Sequence, residues 1–87
     1  FNTMPYYLYI LRCIDHSLYV GISTDPHKRF ETHLNGKGGR YTRSHKPIKI
    51  VYLEQMANKT EALKREIELK KWSRRKKELL IRQYSPI

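Results

Sequence analysis

Between Tyr6 and Ile22 the chain carries two runs of strand-forming residues, YYLYILRCI and LYVGI, separated only by Asp15-His16-Ser17. Aromatic and β-branched residues suit a pleated, half-buried surface, and so short a polar connection makes the pair an antiparallel hairpin. The hairpin constrains the fold more than any other feature, because strand side chains alternate between faces with a period of two. The loop length therefore decides which residues can meet. With all three residues in the loop, Ile14 faces Leu18, and Tyr9 and Tyr19 project on the same side. A two-residue loop at Asp15-His16 puts them on opposite sides. The three-residue loop is the expected one.

Downstream, Asp25 can cap a helix in which Pro26 sits where its missing N–H costs nothing. That helix should run to about Leu34 and stop at Asn35-Gly36, with Phe30 and Leu34 on its apolar side. The stretch 36–47 is rich in glycine and base, contains no acid, and reads as a loop. Ile48 to Gln55 reads as a third strand. Asn58 with Glu61 makes a capping box for a helix reaching about Trp72, and Ser73 can cap a last helix to about Tyr84, ended by Pro86. At 87 residues there is room for one modest core. Met4-Pro5 reads as a native start, so one domain is expected over 4–87, with Phe1-Asn2-Thr3 an appended remnant.

Eighteen Lys and Arg against eight Asp and Glu give a formal charge of +10. Self-repulsion is a real cost for so small a domain, and the excess predicts a polyanionic partner. Nucleic acid is the first choice; ribosomal RNA or an anionic membrane surface would satisfy the charge alone. Cys13 is the only cysteine, which excludes an intramolecular disulfide and a Cys-rich zinc site and points to a reducing, cytoplasmic setting. There is no bilayer-length apolar run and no signal-peptide pattern, so no membrane association is expected.

Two basic segments suit phosphate contacts. Lys37, Arg40, Arg43 and Lys46, followed by Lys49, lie in an acid-free stretch with Tyr41 and His45 interleaved; Arg74, Arg75, Lys76 and Lys77 form an unbroken run at a helix junction. Tyr41 is a candidate for stacking on an exposed base. The alternative for each is a solvated charged face, and nothing indicates readout of particular bases.

Five residues could do chemistry. On an ideal helix Ala62, Leu63, Ile67, Leu69 and Trp72 form a broad apolar arc, and Glu66 falls in its middle. A carboxylate facing a core is costly unless paired, hydrogen-bonded or metal-bound. The competing explanation is an i,i+4 ion pair with Lys70 at the edge of the stripe. Arg29 and His33, four apart, share one helix face, as a phosphate clamp with a second donor or as a solvated basic face. Tyr9 and Tyr19 are either packing residues or phenols whose ionisation nearby Arg, His or metal would favour. Gly21 would let backbone or substrate approach closely, or is only a strand irregularity.

Tyr9-Ile10-Leu11 followed by Tyr19-Val20-Gly21 resembles the paired signature of the GIY-YIG endonucleases, with the first triplet degenerate. Arg29, His33 and Glu66 follow in the family's order and spacing, and the resemblance covers about Tyr6 to Tyr84. It is nearest the small stand-alone bacterial group (YhbQ/YazA-like), which also carries a Gly-rich basic loop ending in Thr-Arg and a Lys/Arg-rich terminal helix. The resemblance implies an α+β fold, a small three-stranded antiparallel sheet flanked by helices. It implies one divalent ion, Mg²⁺ or Mn²⁺, held by Glu66 with water and substrate. A tyrosine, Tyr9 or Tyr19, would activate water with the other assisting, and Arg29 would stabilise the phosphorane-like charge; His33 belongs to the same set. Where many members carry an asparagine, this chain reads Gln83-Tyr84-Ser85-Pro86.

The expectation is a metal-dependent endonuclease acting on structured or single-stranded DNA with low sequence specificity, DNA before RNA, with a protein partner able to add specificity. The second reading is a nucleic-acid-binding module of the same fold, with feeble or no cleavage. A ribosome-associated or membrane-surface basic protein would leave the placement of Tyr9, Arg29 and Glu66 unexplained.

Overall fold

The computed structural model of the protein describes residues 5–37 and 39–84, with Thr42 described by its backbone alone. The chain runs β1 (Tyr6–Cys13), β2 (Leu18–Ser23), α1 (Pro26–Leu34), α2 (Arg40–Ser44), β3 (Pro47–Met56), α3 (Lys59–Lys70) and α4 (Arg74–Tyr84). The strands form one antiparallel sheet in the order β2-β1-β3, so the architecture is the expected α+β sheet flanked by helices. The expected start at Met4, the three residues before it, and Ser85-Pro86 lie outside the described residues.

The hairpin loop has three residues, but they are Ile14, Asp15 and His16. Cys13 N–H donates to the Ser17 carbonyl at 2.9 Å and His16 N–H to the Cys13 carbonyl at 2.9 Å. His16 takes the left-handed backbone conformation (φ 71°) that closes such three-residue loops. The Ser17 N–H and Oγ both donate to Asp15 Oδ1, at 3.1 and 2.6 Å, which returns Ser17 to the ladder instead of leaving it in the turn. Tyr9 thus pairs with Gly21 and Leu11 with Tyr19. The register differs from the expected one by an even step, so the face assignment survives: Tyr9 and Tyr19 share a side. Ile14 is left outside the sheet, 63% exposed.

Being central, β1 is covered on both faces, and Leu8, Tyr9, Ile10 and Leu11 are all buried. On one face Leu8, Ile10, Val20 and Tyr52 pack with Leu69 and Ile81, flanked by Trp72 and Leu80 of the α3–α4 layer. The other face carries Tyr9 and Tyr19 beneath α1. There the apolar side expected from Phe30 and Leu34 holds only in part, with Phe30 partly buried. Pro26 and His33, seven residues apart, are buried while Leu34 is exposed. The sheet below offers a phenol, so an imidazole that can hydrogen-bond to it fits better than leucine.

Three further differences have local causes. The segment expected to be all loop contains the short helix α2, formed where Tyr41 and His45 stack face to face. In α3 only Ala62 and Leu69 are fully buried, whereas Leu63 and Ile67 are exposed. A three-stranded sheet is too narrow to cover the broad arc drawn from the sequence. That helix also stops at Lys70, before Trp72, whose N–H bonds the Leu69 carbonyl in a tightened final turn. Asp25, Asn58 and Ser73 cap as expected, accepting from the N–H groups of Lys28, Glu61 and Lys76. No described helix is long and apolar enough to cross a membrane.

Candidate active site

Tyr9 pairs across the hairpin with Gly21, and its ring lies over that residue. A Cβ built on Gly21 would stand 2.5 Å from Tyr9 Oη, 2.7 Å from Tyr9 Cζ and 3.1 Å from Tyr19 Cε2. Glycine is therefore needed there to admit the two rings, which settles its role in favour of close approach over strand irregularity. The phenol crosses it to reach His33 on α1, with Tyr9 Oη and His33 Nε2 3.1 Å apart. The ring of Tyr19 completes the group, 6.4 Å from Tyr9 and 5.1 Å from His33 between centroids.

Burial governs the electrostatics. It pushes the Tyr9 phenol up to about 12, with the neighbouring Tyr19 and Glu66 adding to the rise and a hydrogen bond and charge from Arg29 opposing it. It pushes His33 down to about 4, with the Arg29 guanidinium adding to the effect. At neutral pH the pair is thus a phenol and a neutral imidazole, which can share the phenolic proton. Tyr9 is 1% exposed, and Tyr19, only partly buried, is the phenol of the two that solvent can reach.

Glu66 makes the i,i+4 ion pair that was the competing explanation, and it is also largely withdrawn from solvent. Its side chain is only 18% exposed and close enough to Tyr9 to raise its pKa, yet its Oε2 is 3.2 Å from Lys70 Nζ. It stands at the edge of the buried Ala62–Leu69 line, not in the middle of an apolar arc. Among the described residues no group of three or more His, Cys, Asp or Glu could hold a metal. A single carboxylate still suits a hard ion such as Mg²⁺, which keeps several waters and shares its shell with phosphate oxygens.

Residues 5–79 match the GIY-YIG catalytic domain. The chain belongs to the GIY-YIG family. It is 45% identical over 78 residues to a UPF0213 protein of Bacillus pumilus, covering 90% of this chain and 80% of that protein. It is 40% identical over 82 residues to the UPF0213 protein YazA of Bacillus subtilis, covering 94% and 83%. The solution NMR structure of the UPF0213 protein BH0048 from Bacillus halodurans superposes with a TM-score of 0.61 at 43% identity, over 95% of this chain and 89% of that one.

The five candidate residues come together around the Tyr9 phenol from β1, β2, α1 and α3: Tyr19 and His33 by contact, Arg29 by a hydrogen bond, and Glu66 by its nearby charge. The glycine-rich basic segment reaches the same place. Tyr41 stacks on Tyr19 with centroids 5.8 Å apart, which sets the stretch holding Lys37, Arg40, Arg43 and Lys46, all exposed, beside the phenols. One face of Tyr41 is already stacked on His45 at 4.0 Å, so it serves the fold as well as any base. The run 74–77 is not a uniform strip. Arg74 donates to the His16 carbonyl and to Glu78, Lys76 lies 4.2 Å over the Trp72 ring, Arg75 is exposed, and Lys77 is partly buried.

Sequence reasoning missed the ties that hold these parts together. His45 Nε2 lies 3.6 Å from Asp15 Oδ2, joining α2 to the hairpin loop. The Asp15 carboxyl is held below its usual range, mainly by Ser17 and also by His45. Arg12 makes a bidentate pair with Glu78 at 2.9 and 2.7 Å, which pins α4 to β1. Nothing in the spacing of 12 and 78 announces that contact.

Proposed function

We propose that the chain is a metal-dependent endonuclease that hydrolyses phosphodiester bonds of DNA, structured or single-stranded, with little sequence preference. The observation that carries this reading is the convergence beside Gly21. Two phenols, a neutral imidazole, a guanidinium and a carboxylate meet where the basic segment around Tyr41 also arrives. In this reading Glu66 holds one Mg²⁺ or Mn²⁺ ion together with water and phosphate oxygens, and the ion supplies Lewis acidity. Arg29 faces the phosphate and offsets the charge that builds on its oxygens. Tyr19 is the phenol that a water can meet, while Tyr9 and His33 behind it hold a shared proton. Burial of Tyr9 keeps it protonated. The setting is the cytoplasm, where the lone thiol of Cys13 stays reduced.

A binding module of the same fold is the second reading, and the Glu66–Lys70 pair favours it, because metal must displace that ammonium. Cleavage of labelled single-stranded, duplex and branched DNA, with a parallel RNA set, decides between them. Each substrate is incubated with Mg²⁺, Mn²⁺ or EDTA, beside Glu66→Gln. Metal-dependent cutting lost in the variant is the expected result. Binding without cutting, unaltered by the substitution, would establish the module instead.

A further inference from the structure

Beside Tyr19, between the hairpin, α2 and α4, lies a cavity of about 220 Å³ lined by Ser17, Leu18, Tyr41, Arg74 and Lys77. Arg74 and Lys77 are three apart on α4 and so share one face. Both contacts of Arg74, to the His16 carbonyl and to Glu78, use Nη2. The guanidinium is therefore anchored while Nε and Nη1 keep donors without a partner among the described residues. Lys77 is partly buried and makes no ion pair among the described residues, in contrast to Lys64 and Lys70, whose ammonium groups have carboxylate partners. The Lys77 charge is thus uncommitted, and an anion entering the cavity would meet it together with the open Arg74 donors. Glu78 offsets Arg74, but the first turn of α4 contains no acid, and a cavity at this positive end of the helix dipole favours an anion.

We propose that this cavity is a second phosphate subsite. It holds a flanking backbone phosphate of the same DNA strand whose scissile bond lies over Tyr19 and Glu66. Lys77 is the charge that pairs with it, and Arg74 is the pre-oriented donor. Leu18 precedes Tyr19 in β2, and Tyr41 stacks on it, so a phosphate held here fixes the strand's direction across the phenols. The protein then requires an intact charged phosphate on the α4 side of the cut, and a strand that ends before that position is a poor substrate. This inference rests on the proposed nuclease reading.

The test is a double-mutant cycle on single-stranded DNA oligonucleotides in which one phosphate at a time is replaced by a neutral methylphosphonate. At one position flanking the cut, neutralisation should lower kcat/KM about tenfold, the scale of one charged hydrogen bond. Lys77→Ala should lower it by a similar factor on the unmodified strand, mainly through KM. The two changes together should cost no more than either alone, and Lys77→Arg should restore the sensitivity. Lys64→Ala, which removes the same charge from an exposed site on α3, should show no such coupling. The salt dependence of binding should also flatten by about 0.7 in log–log slope in Lys77→Ala. If the protein cuts no oligonucleotide with any metal, the nuclease reading fails, and the same cycle on binding affinity still decides the subsite. Additive effects at every scanned position, in cleavage or in binding, would overturn it.

Discussion

Gly21→Ala is the sharpest test of the site's construction, because propensity and packing predict opposite signs. In an ordinary strand the substitution reduces unfolded-chain freedom and stabilises by about 0.4–1 kcal/mol. Here the new methyl would sit 2.5 Å from Tyr9 Oη, and ordinary contact begins at 3.4 Å. The phenol must retreat by most of an ångström, yet it is buried and holds a 3.1 Å bond to His33. Overpacking of this kind costs roughly 1–3 kcal/mol. Leaving a buried imidazole without its partner costs about 1–3 kcal/mol more. After the entropic gain, a net loss of about 2–4 kcal/mol is expected, a large share of the roughly 5–15 kcal/mol that holds a domain folded. Urea unfolding should show the midpoint falling by about 1–2 M. In a Tyr9→Leu background, where no phenol crosses the glycine, the same substitution should cost less than about 1 kcal/mol. A Gly21→Ala protein as stable as the parent would refute the steric argument and return Gly21 to the status of a strand irregularity.

The remaining predictions concern charge and docking. His33 should impose an acid limit on stability. Its folded pKa is depressed to about 4, so between the unfolded value near 6.5 and that level the unfolded chain binds the extra proton. Stability is then full above about pH 7 and falls as pH drops through the window, by about 3 kcal/mol at the low end. Urea midpoints of the parent and His33→Gln measured from pH 8 to pH 4 should converge in acid, and a His33 imidazole titrating by NMR near 6.5 would contradict this. Lys70→Met should free Glu66 from its competing ammonium and tighten Mn²⁺ binding about two- to fivefold, since a half-exposed pair contributes only about 0.5–1 kcal/mol; calorimetric titration reads this directly. Tyr41→Ala removes the stack on Tyr19 and on His45, and should raise hydrogen exchange across Arg40–Ser44 with little change in global stability.

What the sequence could disclose was set by the range over which its rules act. The side-chain period of two makes Tyr9 and Tyr19 share a face under any even change of register, so the pairing of phenols was legible although the loop was placed one residue late. The error came from Ser17, whose bonds to Asp15 draw it back into the ladder, a turn detail that spacing does not encode. Helix caps were legible for the same local reason. The burial of His33 was not, because whether an imidazole or a leucine faces inward depends on what the sheet offers beneath it, and that is a phenol from 24 residues earlier. Glu66 shows the limit most clearly. Helical spacing placed it near the core side of α3, but its position at the edge of the buried line, within reach of both Lys70 and Tyr9, depends on how little of the helix a three-stranded sheet can cover. That edge position makes both functional readings physically reasonable. A carboxylate fully inside would be neutral or locked in a pair, and one fully outside would hold metal no better than any surface glutamate. In the proposed nuclease, Glu66, partly withdrawn and opposed by one exposed ammonium, would exchange Lys70 for a divalent ion once phosphate oxygens arrive to complete the shell. Metal affinity should therefore rise when nucleic acid is bound, and by linkage the metal should tighten nucleic-acid binding by the same factor. Mn²⁺ titration with and without a non-cleavable strand measures it, and equal affinities in the two titrations would leave Glu66 a structural ion pair.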